Sequence, residues 1–197
     1  VVTSAVKHHL PNYGVFDEFR HFVPGNTLQV VRIHGIDVAV VICEDLWQDG
    51  GPVAVAREAG AGLLLVVNSS PYEANKDDLR GDLVRRRARE AGCALAYVNL
   101  VGGQDELVFD GDSLVADADG KIFARAPQFE QGSMIVDLEL PAATGTPAGT
   151  HEGIEIVHTV LQSDELAPYE PIAPNLAPRL SDEAEMYGAI VTGLRDY

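Results

Sequence analysis

The run from Ala61 to Val67, "AGLLLVV", constrains this chain more than any other stretch. Its seven residues carry no alternation of apolar and polar positions. Neither face of the segment can meet water, which is the pattern of a strand inside a covered sheet. A second run of the same kind, "CALAYVNLVG", begins at Cys93. Between them Asp77 and Asp78 open a helical pattern that Arg85, Arg86, Arg87 and Arg89 close, each set matching the sign of the helix dipole at its end. Leu79, Leu83, Ala88 and Ala91 predict one buried stripe along that helix. Strand, helix and strand in this order predict an α/β fold.

The flanking sequence extends the sheet. Leu28 to Ile33 and Asp37 to Cys43 are β-branched runs joined by "HG" and read as a hairpin. "PVAVAREAGA" has helical spacing with Pro52 in the first turn. "LVFDGDSLVADADGKIFARAP" reads as three strands joined at "DG" turns, and "MIVDLEL" as one more. Val1 to Val6 look like the end of a strand that starts before the first residue. Lys7 to Gly25 read as a long structured loop with a helical turn, the kind of segment that tends to carry function.

Beyond Pro141 the composition shifts to Pro, Ala, Thr and Gly, with a second proline-rich stretch from Pro168 to Pro178, and this predicts a linker. Ser181 then caps an amphipathic helix with Tyr187, Ile190, Val191 and Leu194 on one face. That helix reads as the start of a second domain. The expected organisation is a main domain over 1–140, a linker over 141–180 and a domain entry over 181–197.

Charge narrows the function. Thirty acidic against fourteen basic residues give a net charge of -16, which argues against nucleic acid or an anionic membrane as partner. No apolar run approaches the ~20 residues of a spanning helix. Two cysteines, with no secretory signal at the start, fit a reducing cytoplasm. Cys43 and Cys93 lack the spacing of a zinc site, and the adjacent His8 and His9 point to opposite sides of an extended segment, so no metal is expected.

Cys43 stands where an apolar strand stops and Glu44, Asp45 and two glycines follow within eight residues. In open α/β folds this carboxyl end of the sheet gathers reactive groups. A thiol there needs its proton removed and gains from a nearby cation, which Lys7 could supply. Cys93 has no polar companions and reads as core.

Four blocks, "KHHLPNYGVFDEFRHFVPG", "ICEDLW", "NSSPYEANK" and "YVNLVGGQDELVFDGDS", resemble the nitrilase-like glutaminase domain of glutamine-dependent NAD synthetases, and "RLSDEAEMYGAIVTGLRDY" resembles the entry to the synthetase domain. The resemblance implies an α-β-β-α four-layer sandwich with two facing sheets, its N-terminal part missing here. It implies Cys43 as nucleophile toward the amide of glutamine, with Lys7 and the backbone N–H of Glu44 stabilising the oxyanion. Glu18 would orient Lys7. Tyr13, Phe16, Ser70 and Lys76 would line the glutamine pocket, and Asp45 would be structural.

The family's general-base glutamate lies upstream of Lys7, beyond Val1, so this chain alone is expected to turn over little glutamine. The resemblance further implies no cofactor in this domain, ATP and magnesium in the synthetase domain, and that domain and further copies of the chain as partners. A stand-alone nitrilase-type amidase and a non-catalytic α/β scaffold remain the alternatives.

Overall fold

The β-branched runs on either side of His34 and Gly35 fold back on each other as β1 (Thr27–Ile33) and β2 (Ile36–Ile42), an antiparallel pair. Both turn residues have positive φ, 49° and 76°, as a two-residue connection matched to strand twist requires. The computed structural model describes residues 1–162, 164 and 166–197.

Next to β2 and parallel to it runs β3 (Leu63–Asn68), followed by α3 (Lys76–Ala91) and the parallel strand β4 (Ala94–Asn99). Between β2 and β3 lie two single-turn helices, α1 (Glu44–Trp47) and α2 (Gly51–Ala54). Gly92, at φ 66°, ends α3 and donates its N–H to Ala88 at 2.8 Å; only a residue without Cβ takes that left-handed position freely. The remaining strands are β5 (Val101–Gln104), β6 (Leu107–Asp110), β7 (Leu114–Ala116), β8 (Ile122–Arg125), β9 (Gly149–His151) and β10 (Ile154–Gln162). The order β8-β7-β4-β3-β2-β1-β10-β9 makes one eight-stranded mixed sheet, and β5 with β6 forms a separate ribbon.

The mixed α/β class expected from the sequence holds. The strands of these residues nevertheless join one large sheet rather than two facing ones. One face is covered by α3, whose Leu83, Val84, Ala88 and Ala91 pack with Leu64, Val66, Leu95 and Tyr97. Burying Leu83 and Val84 contributes about 1.5–3 kcal/mol each. On the opposite face Val67 and Val98 are half exposed, which departs from the two-sided cover that the apolar run predicts.

Five local expectations are corrected. Val1–Val6 form no strand. Helix α2 stops at Ala54, and residues 55–60 continue as turns. Leu79 is exposed because α3 turns Arg80 inward instead, toward the buried carboxylate of Asp110. Residues 134–140 form no strand: β8 is the last strand of the sheet, and its outer edge is taken by Asn175 and Ala177, which exchange backbone bonds of 2.9 and 3.1 Å with Arg125. The expected linker contains β9 and β10, and β10 pairs with β1 along its length, burying Ile154 and Ile156.

The last element, α4 (Asp182–Asp196), is capped by Ser181, whose Oγ accepts from Ala184 N at 3.3 Å. It lies against the ribbon. Gly103 N donates to Asp196 at 2.7 Å, Gln128 Nε2 donates to Glu185 at 2.7 Å, and Phe129 sits so close to Gly188 that a Cβ there would stand 2.7 Å from its ring. Tyr187, Ile190 and Leu194 face outward.

Candidate active site

Where β2 ends, Cys43 takes φ 47° and ψ -97°, a conformation that a residue with a side chain adopts at a cost of ~1–3 kcal/mol. Two backbone bonds hold it there. Its N–H donates to Val67 O at 3.0 Å and its carbonyl accepts from Leu46 N at 2.9 Å. The strand therefore ends rigidly against β3, and the chain turns sharply at Cys43.

The thiol opens on a cavity of about 480 Å³, lined among others by Lys7, Phe16, Glu18, Asn68 and Ser69. Lys7 Nζ lies 2.7 Å from both Glu18 oxygens, so the carboxylate grips the ammonium symmetrically. Burial pushes the Cys43 thiol above its ordinary pKa, while Lys7 and the backbone N–H of Ser69 pull it down. Net, the thiol is protonated near neutrality, and it needs a base before it can attack.

The loop that delivers Lys7 is closed at its neck: Gly25 N donates to Lys7 O at 2.9 Å, and the His8 ring meets Gly25 O at 2.6 Å. It is then tied to the Cys43 turn by one side chain. Asp45, 1% exposed, accepts from His8 N at 3.0 Å, His9 N at 2.7 Å and Ile42 N at 3.1 Å. Asp45 is thus structural, as expected, and its work is to join the lysine's segment to the residue preceding Cys43. Burial, then His8, hold His9 below its ordinary pKa, so its 3.5 Å approach to Asp45 is not an ion pair at neutral pH.

Of the other expected residues, Phe16 lines the cavity. Tyr13 stacks edge-on against Phe16 at 5.9 Å and donates its hydroxyl to both Glu44 oxygens at 2.9 Å. Burial and that bond push its pKa up to about 12. The Glu44 side chain also accepts from Gln48 Nε2 at 2.6 Å and is buried, so it leans away from the thiol toward the loop.

Ser70 and Lys76 are not brought into the cavity. Ser69 takes the lining position while Ser70, buried, donates its N–H to Asn99 Oδ1 at 2.9 Å. Lys76 pairs with Glu73 at 2.5 Å above the Trp47 ring. Sequence reasoning missed Ser69, whose only signal is its adjacency to Ser70. Cys93 is buried and pushed up to about 11 by desolvation, the inert environment that its apolar neighbours predict. Among the described residues no cluster of three or more His, Cys, Asp or Glu is placed to hold a metal ion, and no helix is long and apolar enough to cross a membrane.

Residues 2–148 match the family model described as carbon-nitrogen hydrolase. The chain belongs to the carbon-nitrogen hydrolase family. A family relative, the glutamine-dependent NAD(+) synthetase of Aquifex aeolicus, is 40% identical over 97% of this chain and 35% of its own length. The solved glutamine-dependent NAD+ synthetase of Acinetobacter baumannii, in complex with ADP, is 34% identical, with a TM-score of 0.71 over 97% of this chain and 31% of that one. A mutant amidase from Nesterenkonia sp. AN1, with acrylamide added at its active-site cysteine, is 31% identical, with a TM-score of 0.52 over 61% of this chain and 46% of its own. The chain therefore spans about a third of the length of the synthetases it matches.

Proposed function

We propose that these residues form the glutamine-hydrolysing part of a glutamine-dependent NAD synthetase. The observation that carries the reading is the convergence of Cys43, Lys7 and Glu18 on one cavity. In this reading a general base takes the Cys43 proton, later passed to the leaving nitrogen, and the thiolate attacks the side-chain amide carbon of glutamine as the carbonyl π electrons move onto oxygen. Lys7 and the backbone N–H of Glu44 receive that charge, and losing one such donor costs ~10²–10³ in rate. Collapse of the adduct expels the amide nitrogen, which takes up a proton and leaves as ammonia. Water then adds to the glutamyl thioester, and glutamate departs as the thiol is restored. Glu18 keeps the ammonium aimed, Phe16 forms an apolar wall, and Tyr13 fixes the Glu44 carboxylate. Ser70 and Lys76 receive no contact with glutamine in this scheme.

The breadth of the match supports a synthetase over a stand-alone amidase: the Aquifex and Acinetobacter synthetases align with 97% of the chain, the amidase with 61%. The ammonia would then serve ATP- and magnesium-dependent amidation of nicotinic acid adenine dinucleotide in a synthetase domain of the same polypeptide. We place this protein in the cytoplasm, in keeping with two free cysteines, and as a homo-oligomer on the family resemblance alone.

The test is labelling with the chloroketone analogue of glutamine, in which the thiolate displaces chloride. Mass spectrometry is expected to find the adduct on Cys43, slowed by added glutamine, with Cys93 unmodified. Equal labelling of both thiols, or no protection by glutamine, would contradict the proposal and leave the non-catalytic scaffold.

A further inference from the structure

Helix α3 carries two arginines, Arg80 and Arg87, that are both 0% exposed. Seven residues apart, they share the inward face with Leu83, Val84 and Ala88. The helix-dipole reading of the cluster Arg85, Arg86, Arg87 and Arg89 therefore misses what Arg87 does, and it leaves Arg80 out. Enclosing a guanidinium is costly, and an apolar residue of similar volume usually does as well for stability. The geometry gives both a different task.

Each arginine reaches the backbone of a different loop at the rim of the cavity. Arg87 donates Nε to Leu46 O at 2.7 Å and also meets Gln48 O, holding the carbonyl end of α1, the turn that follows Cys43. Its remaining partners are Glu90 at 2.6 Å and Asp49 at 3.0 Å. Arg80 donates to Ser70 O and Pro71 O, both at 3.2 Å, behind the wall that Ser69 presents to the cavity, and it pairs with Asp110 at 2.5 Å. A helix of four residues cannot satisfy its own last carbonyls, and Ser70 O, outside any strand, accepts besides Arg80 from the Asn99 side chain at 3.3 Å. A planar fork of donors on a rigid helix does both jobs, and an ammonium could not match it.

We propose that Arg80 and Arg87 are positioning residues, and that α3 serves as a common ruler: Arg87 fixes the Cys43 turn and Arg80 fixes the segment that follows the lining residue Ser69, so that nucleophile and substrate pocket keep one spacing. The proposal rests on Cys43 being the nucleophile of a glutamine site.

Two reagents applied to the full-length protein separate the two roles. Iodoacetamide reports the thiolate of Cys43 alone. The chloroketone analogue of glutamine reports thiolate and pocket together. In both the Cys43 thiolate forms a carbon–sulfur bond as halide leaves.

Arg87→Met strands no buried carboxylate, since Asp49 and Glu90 both reach solvent. It is expected to move the pH inflection of Cys43 alkylation upward and slow both reagents about tenfold near pH 8. Arg80→Met with Asp110→Asn removes both enclosed charges. It is expected to leave iodoacetamide within about twofold of the parent and raise the half-saturating chloroketone concentration about tenfold.

A merely structural role would lower both reagents alike in both variants, in step with melting temperature. That pattern, or parental reactivity in both folded variants, overturns the proposal. If the parent labels Cys93 as fast as Cys43, the glutamine-site reading itself falls and takes this assignment with it. The selective parent with insensitive variants is the outcome that refutes the arginines alone.

Discussion

Replacing Asp45 by asparagine tests the joint between the Lys7 segment and the Cys43 turn. The carboxylate accepts three backbone N–H groups, two on Oδ1 from His8 and His9 and one on Oδ2 from Ile42. A hydrogen bond to a charged group contributes about 1.5–3 kcal/mol, and one between neutral groups about 1 kcal/mol. Asparagine can still accept twice on its oxygen, at neutral strength. Its amide nitrogen cannot accept from Ile42, and that buried donor is stranded. The joint should weaken by about 2–3 kcal/mol, which frees the Lys7 segment roughly 30- to 150-fold more often.

Hydrogen exchange of the peptide covering residues 1–25 measures that opening directly, and iodoacetamide at Cys43 measures its chemical cost. Both are expected to change together: exchange accelerates by the stated factor, and alkylation near pH 8 slows as the ammonium spends time away from the thiol. Exchange within about twofold of the parent would refute the reasoning, because it would mean that the three N–H groups gain nothing from the charge of Asp45.

Lys7→Met should move the pH inflection of Cys43 alkylation further upward, since Lys7 is the largest influence that lowers the thiol's pKa; at a fixed pH near 8 the rate falls, and an unmoved inflection would exclude the coupling. Glu185 is raised above the ordinary carboxylate range, first by burial and then by Asp77 and Asp110 against the pull of Gln128 and Arg179. A raised acid takes up its proton more readily when folded, so its contribution to stability is present at low pH and is lost as pH rises through the raised value. Glu185→Gln should therefore slow hydrogen exchange of α4 at about pH 8, where the parent pays for the buried charge; faster exchange would contradict the sign. Gly188→Ala places a methyl group 2.7 Å from the Phe129 ring. The clash should loosen α4 from the ribbon by about 1–3 kcal/mol, read as lost exchange protection over residues 182–196, with Cys43 alkylation unchanged.

Much of the chemistry is legible in one dimension because it depends on residue type at a strand exit. A cysteine where a buried run stops is enough to single out Cys43, with Lys7 as the cation it could use, while Glu18 comes from the resemblance; the structure gathers all three. Ser70 and Lys76 were carried by resemblance alone, and position in a motif does not fix which of two neighbouring serines faces a cavity. The strand expected over 134–140 fails for a similar reason. Apolar alternation states that a segment could pair, while the free edge of β8 is already claimed by Asn175 and Ala177.

Local periodicity and turn chemistry determined the βαβ core, the hairpin at His34 and Gly35, the cap at Ser181 and the place of Cys43 at a strand exit, because each is set by residues a few positions apart. Only the tertiary structure decided that β10 joins β1 across more than a hundred residues, that Asp45 ties two distant segments together, and that Arg80 and Arg87 turn inward. Those outcomes depend on which backbone groups are left without partners once the sheet has formed, and a buried N–H or carbonyl must find one wherever in the chain it lies.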